Sequence, residues 1–394
     1  MKVLLVTDFY PPVRGGLEFH VESLASTLAD HGDEIHVATL TADPVVADPR
    51  VTVHSIRALS SRVLPHENPS RPFHPPLPDP TARREFTRLL AEIRPDVIHG
   101  HSWLTVSVPR RRPPMVFTAH DYGLMCELRT LRHPVEGICR GPDLKKCIAC
   151  GSGTYGLPTA ALLAPGTSAG RRLLRPDAVI AVSESVARRL RPQLRTEVTV
   201  IPNFVDDAAT LAEPPHGLLP AGRYAMFAGD PGAHKGLDDL LAVWQAPDAP
   251  DADLVVATTR PLSEGAPERV RSASLDRAQV ASAWARATIA LVPSKWSEPC
   301  PTVVLEAMRA GVPVVGYAVG GIPELVRDGV DGFLVPLGDT AALGDRVRRL
   351  LADESLRSTL AANARDRVTQ YTTSSVVGCI RDLYTGLIEG KSAA

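Results

Sequence analysis

The chain predicts an α/β fold of two open parallel sheets, and three observations carry that prediction. Its 394 residues suffice for two domains of about 150–200 residues each. Short apolar runs recur between helical patterns: VLLV at 3–6, VIHG at 97–100, MVFTA at 115–119, AVIAV at 178–182, YAMFA at 224–228 and IALV at 289–292. Strands buried on both faces read as unbroken apolar runs of this kind. Glycine-bearing turns at 15–16 and 229–236 then join such strands to helices.

Composition narrows the class. At 44% hydrophobic and 22% charged, the chain can bury a core and is not disordered. Lys2 runs straight into VLLVTDF, which interrupts any signal-peptide apolar region. No apolar run approaches the ~20 residues of a membrane span, so a cytoplasmic location is expected. A net charge of −1 excludes a strong nucleic-acid footprint. Residues 1–203 hold 25 lysines and arginines against 20 acids, and the remainder 18 against 24. The basic half would suit an anionic acceptor or a peripheral membrane contact, although solvated surface arginines account for it better.

In order, residues 2–7 predict a strand that enters DFYPPVRGG, and 17–29 repeat apolar residues at helical spacing. Gly15 and Gly16 allow close backbone approach to a ligand, but the dinucleotide fingerprint G-x-G-x-x-G is absent. Strands are expected at 34–40 and 51–56, a long loop at 57–80, a helix at 81–93 and a strand at 96–100. The strand at 115–119 delivers His120 and Asp121 to its carboxyl end. A histidine there is often structural; as a functional ring it would be oriented by Asp121 through one nitrogen.

Cys126, Cys139, Cys147 and Cys150 follow as C-x12-C-x7-C-x2-C, four of the six cysteines within 25 residues. That spacing suits a structural zinc on four thiolates, which leaves no open catalytic position; free thiols in an insertion are the equal alternative. Strands at 178–182 and 198–201 bracket a helix, and Pro/Ala density at 213–221 reads as a linker.

The second half opens on the strand at 224–228 and the loop GDPGAHKG. Lys235 is followed by glycine, so this is no Walker loop. A strand at 254–258, a helix at 278–287 and terminal helices at 340–351, 354–369 and 374–389 are also expected. Within LVPSKWSEPCPTVVLEAMRAGVPVV, a strand ends at Pro293, and a helix runs from an N-cap at Thr302 to a C-cap at Gly311. Glu298 precedes that helix and Glu306 lies inside it, so both carboxylates can face the mouth of the sheet. Backbone N–H groups around Pro301, Thr302 and Val303 suit an anion or sugar oxygens. Taken alone, the two glutamates read as ordinary surface residues.

The surrounding PS-x-W-x-EP, LEAM-x-AG-x-PVV and GG-x-PELV, spaced about Glu298 and Glu306, resemble the E-x7-E motif of family-four retaining glycosyltransferases. The glycine pair, TAHD at 118–121, and IPNFVD at 201–206 fit the same pattern, with Phe204 where the family has glycine. The resemblance implies the GT-B fold, two facing Rossmann-like domains with a deep interdomain cleft. Residues 1–203 would form the acceptor domain, with helix 374–390 packing back on it, and 204–373 would bind the nucleotide sugar. It implies transfer of a sugar from a nucleoside diphosphate sugar to a natural product, lipid or polysaccharide, with retention and without a catalytic metal. His120 and Glu298 would meet the sugar, Glu306 the ribose, and Lys235 and the Gly15–Gly16 loop the diphosphate. Asp230 stands where the family's phosphate-gripping arginine is expected, with Arg14 or Arg260 as substitutes. That departure keeps open a sugar phosphorylase or an atypical donor. A non-catalytic sugar-nucleotide-binding protein is the alternative from another class.

Overall fold

The computed structural model describes residues 1–13, 15–60, 74–135, 137–258, 262 and 266–390. The expected helper arginines, Arg14 and Arg260, and most of the 57–80 loop lie outside them. Two units form: residues 1–202 with 373–394, and residues 203–372.

In the first unit, β1 (Lys2–Thr7), β2 (Glu34–Thr39), β3 (Val51–Ser55), β4 (Val97–Gly100) and β5 (Met115–Ala119) precede a short antiparallel hairpin. That hairpin pairs β6 (Arg132–His133) with β7 (Gly137–Ile138); β8 (Ala178–Ala181) and β9 (Val198–Val200) complete the set. Seven strands form one parallel sheet ordered β3-β2-β1-β4-β5-β8-β9. Val3, Leu4, Leu5 and Val6 are all fully buried, as expected of a central strand covered on both faces. Each such side chain contributes about 1.5–3 kcal/mol of burial. Helix Thr373–Ile388 packs on helix Gly16–Asp30, where Arg381 bonds the buried Asp33 at 2.8 Å and Tyr384 reaches His99.

The second unit contains β10 (Tyr224–Ala228), β11 (Asp253–Ala257), β12 (Val270–Ala273), β13 (Ile289–Val292), β14 (Val314–Tyr317) and β15 (Gly332–Val335). They form a parallel sheet ordered β12-β11-β10-β13-β14-β15. Its core packs Leu237, Leu240 and Trp244 with Leu343, Val347 and Leu350 over one face of the sheet.

Several expectations change. Residues 213–221 lie inside the second unit rather than between units. Glu213 pairs with Arg286, and Ala212 N–H bonds the Ala278 carbonyl, tying this chain to helix Arg277–Arg286. Helices Leu144–Tyr155 and Leu157–Leu174, and strands β12 and β15, were not expected. Among the described residues, no helix is long and apolar enough to cross a membrane.

Candidate functional site

Parallel sheets bind ligands where the strand order reverses direction, outside the carboxyl ends of the strands. Each unit has such a point. In the first it lies between β1 and β4, in the second between β10 and β13. Gly15, Gly16 and His120 lie at the first, and Lys235 and Glu298 at the second.

At the first point, a pocket of about 250 Å³ is lined by Phe9, Gly15, Gly16, His101, His120 and Arg129, among others. Ser102, in its lining, is tethered by the buried Asp8, which accepts from Ser102 Oγ at 2.6 Å and Leu104 N–H at 2.9 Å. Gly16 opens helix Gly16–Asp30, and a Cβ added there would meet open space. His120 follows β5 as expected, but the structure adds an unforeseen ring partner: His101 Nδ1, one residue beyond β4, lies 2.9 Å from His120 Nε2. Asp121 directs one carboxylate oxygen to Gly123 N–H at 2.6 Å, and the other faces Arg129 at 3.9 Å.

His20 completes the group, its ring centre 4.6 Å from that of His120 with the planes 74° apart. Burial, reinforced by neighbouring histidines, holds His20 and His101 well below the usual imidazole pKa. Burial also lowers His99, to about 3. These rings are therefore neutral at pH 7. His101 was legible as the second histidine of H-x-H at a strand end; His20 lies on an apolar helical face that reads as core.

At the second point, Lys235 Nζ lies 2.6 Å from Glu298 Oε1, and Ser294 Oγ donates to the same oxygen at 2.7 Å. Glu298 is 3% exposed. Lys235 also sits 5.2 Å from the Trp296 ring centre, a cation–π distance. The motif residues around Glu298 thus hold one cation. Glycines make the approach feasible. Gly236 has φ +75°, and a Cβ there would overlap the Pro293 carbonyl. Gly320, φ +59°, presses against the Glu298 backbone, and Gly321 N–H bonds the Glu298 carbonyl at 2.6 Å.

Helix Thr302–Ala310 begins after Pro301, not after Thr302: Pro301 is the N-cap, and no side chain caps the first turn. Gly311 ends it in the left-handed region, as expected. Pro301, Thr302 and Val303 therefore stand at an N-terminus whose N–H groups no capping side chain engages. Glu306, one turn in, lines a separate pocket of about 230 Å³ with Asp206, Thr210, Arg277 and Arg309. Burial pushes its carboxyl pKa up, and Arg277 and Arg309 pull it back. Asp230 is exposed and turns into its own loop, accepting Gly232 N–H at 2.7 Å.

The cysteines do not form a ready metal cage. Among the described residues, the group with three ligand atoms within 4.8 Å of one another is His20, His101 and His120. Cys139 Sγ instead faces the Gly141 carbonyl at 3.4 Å, and Cys150 Sγ the Arg132 carbonyl at 3.9 Å. Burial pushes the Cys126 thiol up to about 11 and raises Cys147 and Cys150.

Comparison with known proteins gives two successive family matches along the chain. The family described as Glycosyltransferase Family 4 matches residues 14–209, and Glycosyl transferases group 1 matches residues 222–353. A phosphatidyl-myo-inositol mannosyltransferase of Mycobacterium leprae is 26% identical, over 98% of this chain and 96% of its own. Sucrose-phosphate synthase from Thermosynechococcus elongatus superposes with a TM-score of 0.75 at 22% identity, covering 99% of this chain and 100% of its own. Anabaena HepE, solved in complex with UDP and glucose, does so at 0.69 and 19% identity, covering 98% and 100%.

Proposed function

This chain belongs to the family-four glycosyltransferases and has their GT-B fold, and on that premise we propose that it transfers a sugar from a nucleoside diphosphate sugar to an acceptor with retention of configuration. The observation that carries this reading is the Lys235–Glu298 pair at the reversal point of the second sheet, with Glu306 one turn into the next helix. Lys235 and the first turn at Pro301, Thr302 and Val303 would stabilise the leaving diphosphate. A fixed charge aimed at a leaving group acts mainly in the transition state. Glu298 would hold Lys235 in place and meet the sugar, and Glu306 would accept the ribose hydroxyls. The protein's own cations supply the charge, so no metal step is invoked.

His120 would place the sugar near its reacting carbon, and the pocket containing Gly15, Gly16 and Arg129 would receive the acceptor. The mannosyltransferase relative is named for phosphatidyl-myo-inositol, which makes a lipid the acceptor class to test first. HepE's complex with UDP and glucose makes UDP-sugars the first donors to try.

Transfer assays with a panel of nucleoside diphosphate sugars test the reading. Release of the diphosphate from one donor, with the product anomer matching the donor by NMR, is expected. No release from any donor, and no thermal shift with any nucleoside diphosphate, would overturn it. Sugar 1-phosphates belong in the same panel, because Asp230 places a carboxylate on a loop amide beside Lys235. Turnover of a sugar 1-phosphate alone would make the chain a phosphorylase or a transferase with an atypical donor.

A structural zinc on Cys126, Cys139, Cys147 and Cys150 is a separate proposal. Its support is the spacing and the frame: a hairpin carrying Cys139 followed by a helix carrying Cys147 and Cys150. Binding would deprotonate the raised thiols and exchange their carbonyl contacts for the metal. About one zinc per chain in untagged protein is expected. Four titratable thiols without metal would end the proposal.

A further inference from the structure

His101 and His120 follow neighbouring strands, β4 and β5, so their rings meet at one edge of the sheet. The rings stack with centres 5.2 Å apart and planes 27° apart. The 2.9 Å contact between His101 Nδ1 and His120 Nε2 requires one proton between the two nitrogens. With none, two lone pairs would face each other; with two, the N–H groups would collide.

The position of that proton follows from the far side of His101. Its Nε2 is buried and has no hydrogen-bond partner. The ring is neutral and carries one N–H. A proton on Nε2 would bury an N–H with no acceptor, the rarer defect in folded proteins. The proton belongs on Nδ1, where it has an acceptor.

We propose that His101 is a positioning residue: by donating Nδ1–H to His120 Nε2, it holds His120 in the tautomer protonated at Nδ1. Its orientation is set from the core. His99 packs against it with ring centres 4.1 Å apart, and both His99 nitrogens are engaged, by Tyr384 at 2.5 Å and Thr118 at 2.6 Å. His20 closes another side of His120. The functional consequence rests on the reading of His120 as a sugar-placing residue. A ring whose Nε2 already accepts has its N–H at Nδ1. It can donate to a sugar hydroxyl oxygen and is unsuited to taking a proton from the acceptor.

Long-range proton–nitrogen correlation spectra of the full chain labelled with ¹⁵N-histidine test this, with His120 assigned by the signals lost in His120→Asn. A bare Nε2 and a protonated Nδ1 are expected for His120 in the wild type. His101→Asn places an amide N–H where Nδ1 stood and should keep that signature. His101→Leu removes the donor; the His120 signals should shift toward mixed tautomers, and kcat should fall about tenfold to a hundredfold with the donor KM unchanged. A wild-type His120 protonated at Nε2, or a signature unchanged in His101→Leu, would overturn the proposal. Should His101→Leu fail to fold, the wild-type spectrum alone decides. Should the tautomer stand while no sugar donor is turned over, the functional reading fails and this inference survives.

Discussion

The two reversal points occupy the same place in their sheets and solve burial in opposite ways. In the first unit, burial and the neighbouring rings hold His20, His99 and His101 neutral. In the second, Glu298 is just as enclosed, yet it is met by Lys235 and Ser294 and forms an ion pair. A buried ionisable group either discharges or finds a partner. Under the proposed function, the neutral site would orient hydroxyls and the charged one would hold developing negative charge.

The largest expected effect breaks the charged side. Lys235→Ala should lower turnover by about a hundredfold to a thousandfold, measured at saturating donor. It should also cost stability, by less than the roughly 3–5 kcal/mol of a fully buried pair, because the Lys235 side chain is 27% exposed. Lys235→Met with Glu298→Leu should recover much of that stability in urea unfolding without recovering turnover. Recovery of both would show that the pair is only structural.

Breaking the neutral side should cost less. His120→Ala is expected to lower kcat about tenfold to a hundredfold while leaving nucleoside diphosphate affinity intact by calorimetry. A variant with normal turnover would return His120 to a structural role.

Stability against pH sharpens the contrast. The His99 folded pKa, about 3, lies below its unfolded value, so the unfolded chain binds the extra proton between the two. The stabilisation is therefore complete above the unfolded value near 6.5 and is lost as pH falls toward 3. Each such histidine adds a slope of about 1.4 kcal/mol per pH unit within that window. His99→Gln should flatten the acid limb of urea-unfolding stability by about that amount. An unchanged slope would mean that His99 titrates normally.

The smallest effect concerns Glu306. Glu306→Gln keeps the shape but leaves one accepting oxygen, and should weaken nucleoside diphosphate binding about tenfold. Unchanged affinity would remove Glu306 from the ribose role.

Much of this was legible because the central strands are apolar on both faces. VLLV, MVFTA and IALV could hardly be anything else, whereas the close approach of Gly320 to the Glu298 backbone shows only in the fold. Helix Leu157–Leu174 was hidden by its own composition, since Pro158, Pro165, Gly166 and Gly170 read as loop. Tertiary packing reverses that reading. A Cβ at Gly170 would overlap the Pro76 carbonyl, so the small residue marks a close contact rather than a break. The N-cap was misplaced because threonine before an apolar run is a stronger local signal than proline, and only the fold shows the first turn uncapped by a side chain. The pairing of His101 with His120 depends on β4 and β5 being neighbours, which no local pattern states.

The bond between His99 and Tyr384 joins residues 285 positions apart within the first unit. The ribosome therefore makes the whole sheet β3-β2-β1-β4-β5-β8-β9 before the helix that braces it exists. At about 5–20 residues per second, translation of the intervening chain takes on the order of 10–40 s. During that interval His99 lacks its tyrosine, and helix Gly16–Asp30 lacks the helix that later covers it. Until then the face of helix Gly16–Asp30 that the last helix covers stays open to other nascent chains.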